Sequence, residues 1–226
     1  IPKNVDCFIY LFCNKYKNEI SNIEKLLNLK FPKKIFENFN GKYEEIKSMY
    51  FENYSIILGG VGDGQNCKVK NINKTIAMIG KLLIERDYKN IVFSLFSEDP
   101  ENMTNQIENL MIGGHKFDKY LTDKIGKRKI YIYNCTNKIR NIITKAENNG
   151  NIVNFIRDLI NEPPNKINSI SLEKIIKNLF SKSNIQVDIL TEKELKRKGL
   201  NLILAVNSGS KYPAKLIILS NKNKDK

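Results

Sequence analysis

Short apolar runs alternate with stretches of helical spacing along most of the chain. Residues 7–12, CFIYLF, form an uninterrupted apolar segment of strand length, and YSIILGG (54–60), NIVFSLF (90–96) and RKIYIYN (128–134) repeat the theme. The intervening segments place apolar residues three and four apart. Ile20, Ile23, Leu26 and Leu27 do so in residues 18–29, Ile72, Ile76, Ile79 and Leu83 in residues 69–88, and Met103, Ile107, Leu110 and Met111 after Pro100. Pro100 and Glu101 suit a helix start. Residues 31–51 predict a short helix before Gly41 and a strand after it. Strands alternating with helices of this length predict an α/β domain over residues 1–136, a mixed, partly parallel sheet flanked by helices on both faces.

Residues 137–162 read as one long linking helix, with Ile139, Ile142, Ile143 and Ala146 on one side of Gly150 and Ile152, Phe155, Ile156 and Leu159 on the other. Gly150 is expected to break or bend it, because glycine costs a helix interior about 1 kcal/mol relative to alanine. Pro163 and Pro164 stop it, since proline disfavours helical geometry before it and lacks an N–H. A second α/β pattern follows over residues 163–226. SLEKIIKNLF is a helix preceded by Ser171, IQVDIL a strand, and TEKELKRKG a helix with a Thr191/Glu194 capping box and Gly199 at its end. LILAVN and AKLIILS are expected as strands. So few elements cannot cover a sheet, and the segment reads as the incomplete start of a larger domain.

Composition narrows the class. A 41% apolar and 27% charged chain with 11 Phe and 10 Tyr has the material for a packed core, and no window reaches the ~18 apolar residues of a membrane span. A soluble, cytoplasmic protein with no membrane partner is expected. Cys7, Cys13, Cys67 and Cys135 lack any Cys-x-x-Cys pair, which leaves reduced, mostly buried thiols as the reading. The net charge of +14 would suit nucleic acid, but the lysines are scattered. The densest blocks, residues 124–129 and 193–198, also fit a solvated face.

Candidate chemistry is sparse. GGVGDG, residues 59–64, follows a strand and precedes a helix, where backbone N–H groups can cradle a phosphate. Its spacing matches neither the dinucleotide fingerprint nor a P-loop, and Asp63 would repel the anion. His115 is the sole imidazole, and Asp6, Asp63, Asp87, Asp99, Asp118, Asp158 and Asp188 form no paired motif for a metal or for acid and base work. No catalytic or metal-binding residue is expected in this chain.

Several stretches, in order, resemble the leucyl (cytosol) aminopeptidase family. IILGGVGDG is similar to its first-domain strand and glycine loop, and IENLMIGGHKFDKYLTD to a helix-to-loop segment that places Gly113, Gly114, Phe117, Asp118 and Tyr120. IRDLINEPPNK is similar to the family signature through Arg157, Asp158, Leu159, Asn161, Pro163 and Asn165. Residues 190–220 then resemble the opening of the catalytic domain, including Gly199, an Ala205-Val206 strand, Gly209, Ser210 and Pro213. The resemblance covers nearly all the chain after about residue 50.

The resemblance implies a peptidase in which two divalent metal ions, zinc or manganese, activate a water to remove N-terminal residues from peptides. It also implies a homohexamer. The family's metal-holding lysine and carboxylates have no counterpart in these 226 residues, so the chain is expected to be a part of such an enzyme, inactive alone. Arg157, Asp158, Asn161, Pro163 and Asn165 are then a structural signature, with Arg157 and Asp158 in hydrogen bonds that fix the joint. Two alternatives are a non-enzymatic scaffold derived from the family, and a module that binds nucleic acid or, through the glycine loop, a nucleotide-like ligand.

Overall fold

β1 (Cys7–Phe12) runs through the middle of a five-stranded sheet in which every one of its side chains is buried. The computed structural model describes residues 4–13, 24, 39–62, 68–97, 99–133 and 139–221, and it divides the chain into two compact units, Ile1–Arg157 and Asp158–Lys226. In the first unit the strand order is β2-β3-β1-β4-β5. β3 (Ser55–Gly60), β4 (Asn90–Ser94) and β5 (Lys129–Tyr133) join β1 in parallel, and β2 (Ile46–Tyr50) pairs antiparallel with β3 at one edge. Strands covered on both faces need continuous apolar runs rather than alternation, which is why CFIYLF and SIILGG occupy the centre.

The two-residue period sorts these side chains onto two faces. Cys7, Ile9, Leu11, Ile57, Ile91 and Phe93 meet Ile72, Ile76, Ile79 and Leu83 of α1 (Val69–Glu85) and Leu110 of α2 (Pro100–Gly113). Phe8, Tyr10, Phe12, Ile56, Leu58 and Val92 form the other cluster with Phe39 and Met49. The helices expected at residues 18–29 and just before Gly41 lie outside the described residues. Cys7 and Cys13 are free and buried, and burial pushes the Cys7 thiol well above its ordinary range; Cys67 and Cys135 lie outside the description.

α1 and α2 approach closely because neither has a side chain where they meet. A Cβ at Gly113 would stand 2.1 Å from the Ala77 carbonyl oxygen, and one at Gly80 2.6 Å from that of Leu110. α2 starts at Pro100 as expected. Its cap is Asp99, whose carboxylate accepts the Asn102 N–H at 2.9 Å.

α3 (Arg140–Asn161) is continuous through Gly150, so the expected break does not occur. The glycine serves close packing instead: it is buried, and a Cβ there would lie 3.1 Å from Met111 Sδ. Ile152, Phe155 and Ile156 beyond it remain exposed.

The second unit contains α4 (Ser169–Phe180), β6 (Ile185–Leu190), α5 (Glu192–Arg197), α6 (Asn201–Asn207) and β7 (Leu216–Asn221), with β6 and β7 antiparallel. Two expectations fail here. Ser171 does not precede α4 but sits in its first turn: Asn168 is the cap, its side chain accepting from Ile170 and Ser171 N–H, while Ser171 Oγ accepts from Asn168 N–H. Residues 202–207, expected as a strand that includes Ala205 and Val206, form α6. Gly199, at φ +68°, turns the chain at the end of α5, and the run that follows holds leucines and alanine, which lose little in a helix, while no strand among the described residues pairs with it.

Candidate functional site

The signature residues cluster around the end of α3. Arg157, in its penultimate turn, donates from Nη1 to the Ile112 carbonyl at 2.6 Å and reaches Asn154 Oδ1 at 3.4 Å. Asn154 in turn donates to the Met111 carbonyl at 3.4 Å, and Asn149 to Glu108 Oε1 at 2.6 Å, so α3 is fastened along α2 by side chains one helical turn or so apart. Arg128 adds a second guanidinium, donating from Nη1 to the Gly114 carbonyl at 2.8 Å. Burial lowers the Arg128 pKa from its ordinary value, while nearby Asp87 and Asp118 act the other way.

Both arginines therefore address the C-terminal end of α2. The last carbonyls of a helix lack intrahelical partners and carry the negative end of its dipole, and α2 has no basic residue of its own in its last turn. Arg157 and Arg128, 45 and 14 residues away from their acceptors, supply the charge. Nothing in local spacing announces such a long-range cap.

The rest of the signature makes the stop. The Glu162 N–H donates to the Asp158 carbonyl at 3.1 Å, closing the helix. Pro163 then accepts from Lys166 and Ile167 N–H at 2.8 and 3.0 Å, forming the turn that leads to the Asn168 cap. Asn161 and Asn165 are exposed and Asp158 is half-buried. The division between the two units falls between Arg157 and Asp158.

The other family-like stretches also have structural reasons. Asp118 Oδ2 accepts the Ile125 N–H at 2.7 Å, and the Phe117 and Tyr120 rings meet edge to face at 5.8 Å, which closes the loop after α2 on itself. In the glycine loop, the N–H groups of Gly60, Val61 and Gly62 donate to the carbonyls of Glu45, Phe12 and Gly41 at 2.7, 2.8 and 3.0 Å. Those groups are committed to the backbone, so they form no phosphate cradle. Gly60 is required because a Cβ would stand 2.0 Å from the Lys42 carbonyl oxygen. Asp63 and Gly64 lie outside the described residues.

Of the basic blocks, Lys124, Lys127 and Lys129 are exposed, as are Lys193 and Lys196 to Lys198. Lys196 pairs with Glu192 at 3.4 Å, one turn earlier on α5. Among the described residues no group of three or more His, Cys, Asp or Glu could hold a metal ion, so the described residues do not fit a two-metal centre. No helix among them is long and apolar enough to cross a membrane.

Residues 154–226 match the family model described as the cytosol aminopeptidase family, catalytic domain. The match opens three residues before Arg157, on the turn that binds α2. Over this stretch the chain matches the cytosol aminopeptidase family. The probable cytosol aminopeptidase of Sulfurihydrogenibium sp. (strain YO3AOP1) is 26% identical over an alignment of 231 positions that covers 93% of this chain and 45% of that protein. That of Persephonella marina is 30% identical over 173 residues, 72% of this chain and 35% of the relative. The chain thus spans less than half the length of either.

Solved structures agree on the fold. A tomato leucine aminopeptidase mutant superposes with a TM-score of 0.77 at 18% identity, over 99% of this chain and 49% of its own. The bottromycin maturation enzyme BotP in complex with Mn gives 0.71 at 13% identity, over 96% and 45%. Within IRDLINEPPNK, Arg157 is the residue that ties α3 to α2.

Proposed function

We propose that the chain forms the N-terminal domain, the linking helix and the opening of the catalytic domain of a cytoplasmic leucyl aminopeptidase that removes N-terminal residues from peptides. The observation that carries this reading is the catalytic-domain match over residues 154–226, beginning on the helix that Arg157 anchors. In the whole enzyme two divalent metal ions, zinc or manganese, supply the hydrolytic chemistry. Their ligands are proposed to lie outside this chain, and the whole enzyme is proposed to be a homohexamer. The described residues then act as scaffold: α3 is held on α2 and delivers the chain, through the Pro163 turn, into the catalytic portion.

The direct test is to assay the 226-residue chain with leucine p-nitroanilide and manganese. No turnover above buffer is expected. Release of p-nitroaniline that a chelator abolishes would overturn the assignment of the metal site to residues outside the chain.

A further inference from the structure

The sequence contains two Asn-Gly pairs, Asn40–Gly41 and Asn149–Gly150. An asparagine in such a pair can lose its side-chain amide, because a following residue without a side chain lets its own nitrogen approach the amide carbon unhindered. The fold treats the two pairs differently. Gly150 lies inside α3, where its N–H belongs to the helical ladder, and Asn149 Nδ2 donates to Glu108 Oε1 at 2.6 Å. Both reacting groups are held there. Asn40, by contrast, is exposed in the turn that leads into β2, outside any helix or strand. The N–H groups of Asn40 and Lys42 donate to the Glu45 carboxylate at 3.0 and 2.9 Å. Among the described residues, neither the Gly41 N–H between them nor the Asn40 side-chain amide has a hydrogen-bond partner. This turn also clamps the glycine loop. Its Gly41 and Glu45 carbonyls accept the Gly62 and Gly60 N–H groups, and a Cβ on Gly60 would stand 2.6 Å from the Gly41 carbonyl carbon.

We infer that Asn40 is a site of spontaneous deamidation, and that its conversion opens the clamp on Gly60 and Gly62. The reaction needs only water. Solvent base takes the Gly41 amide proton, the nitrogen pair attacks Asn40 Cγ, and the Cγ–Nδ2 bond breaks as ammonia leaves with a proton from water. Water then opens the cyclic imide, at one carbonyl to give aspartate and at the other to give isoaspartate. Nothing is oxidised or reduced. Either product places a new carboxylate in the turn whose N–H groups already hold that of Glu45, and like charges so close repel. Isoaspartate also lengthens the main chain by one methylene immediately before Gly41, which displaces the carbonyl that Gly62 binds. Modification of one exposed side chain is thereby transmitted to the loop after β3.

The test ages the 226-residue chain at mildly alkaline pH and follows both Asn-Gly peptides by mass spectrometry. An isoaspartyl methyltransferase with labelled S-adenosylmethionine is the probe for isoaspartate. Asn40 is expected to convert about tenfold faster than Asn149 or more, since reaction at Asn149 waits on local opening of α3. Once Asn40 has converted, the amides of Gly60 and Gly62 should exchange with deuterium about tenfold faster by NMR, with those of β1 unchanged. Asn40→Gln, a small change at an exposed side chain, should remove together the methyl label on the peptide containing residues 40 and 41 and the faster exchange. Conversion of Asn149 as fast as that of Asn40, or an Asn40 amide that outlasts it, overturns the assignment of the site. Unchanged exchange at Gly60 and Gly62 in the fully converted chain overturns the opening of the clamp, as does an equal acceleration in the aged Asn40→Gln chain.

Discussion

The two units use the same vocabulary of strands and amphipathic helices and reach opposite degrees of burial. In the first, β1 and β3 have no exposed side chain; in the second, β6 and β7 have no buried one. What differs is cover. α1 and α2 lie over one face of the first sheet, and every apolar position on the inner strands finds neighbours. The second unit is held by ties that need no interior: the local Asn168–Ser171 box, the Glu194 carboxylate on the Thr191 N–H and hydroxyl at 2.7 Å, and a long-range bond in which Ser169 Oγ donates to the Pro213 carbonyl at 2.7 Å. Caps and turns can shape elements. Burial of apolar surface is what makes them cooperative.

The contrast can be broken most sharply at Phe93, which is fully buried under α1. Phe93→Ala should cost the first unit about 3–5 kcal/mol in urea unfolding, as large core truncations do. An equal loss from truncating Leu219 in the second unit would show that the two are equally packed after all.

Arg157→Ala should cost about 1.5–3 kcal/mol, the range for a hydrogen bond made by a charged group, and the loss should fall on the first unit. Hydrogen exchange along residues 100–113 and 140–157 reads it. Faster exchange confined to residues 158–221 would mean that the arginine serves the second unit instead.

A smaller effect is expected at Glu173. Its carboxylate accepts from Lys177 at 2.7 Å and from Lys215, and these bonds, that to Lys177 first, hold its pKa down from 4.5 to about 2. A carboxyl lowered on folding contributes stability that is present above pH 4.5 and lost as the pH falls towards 2. Acid titration followed by circular dichroism should show the second unit loosening in that window, and Glu173→Gln should flatten that part of the curve. A variant with an unchanged acid limb would remove Glu173 from the ties that hold the unit.

Where apolar spacing and burial coincide, the fold was legible. CFIYLF, SIILGG and the Ile72–Leu83 stripe were recognised because the centre of a parallel sheet demands those patterns. LILAVN was misread because a short apolar run satisfies helix and strand alike, and among the described residues no strand pairs with it. Gly150, Gly60 and Gly113 owe their identity to a neighbour approaching from elsewhere in the chain, which no local window contains. The same holds for the joint. IRDLINEPPNK could be recognised as a family marker and a helix stop, whereas the bond from Arg157 to Ile112 depends on how α2 and α3 lie together. Asp99 looked like one more isolated carboxylate until the helix it caps was in view.

The placement of Cys7 at the centre of the first sheet has a chemical consequence. Its sulfur is sealed from solvent and held as the protonated thiol, so an alkylating reagent can reach it only when β1 leaves the sheet. The rate at which that one atom is modified is therefore a clock, wound into the fold, that counts how often the heart of the first unit opens.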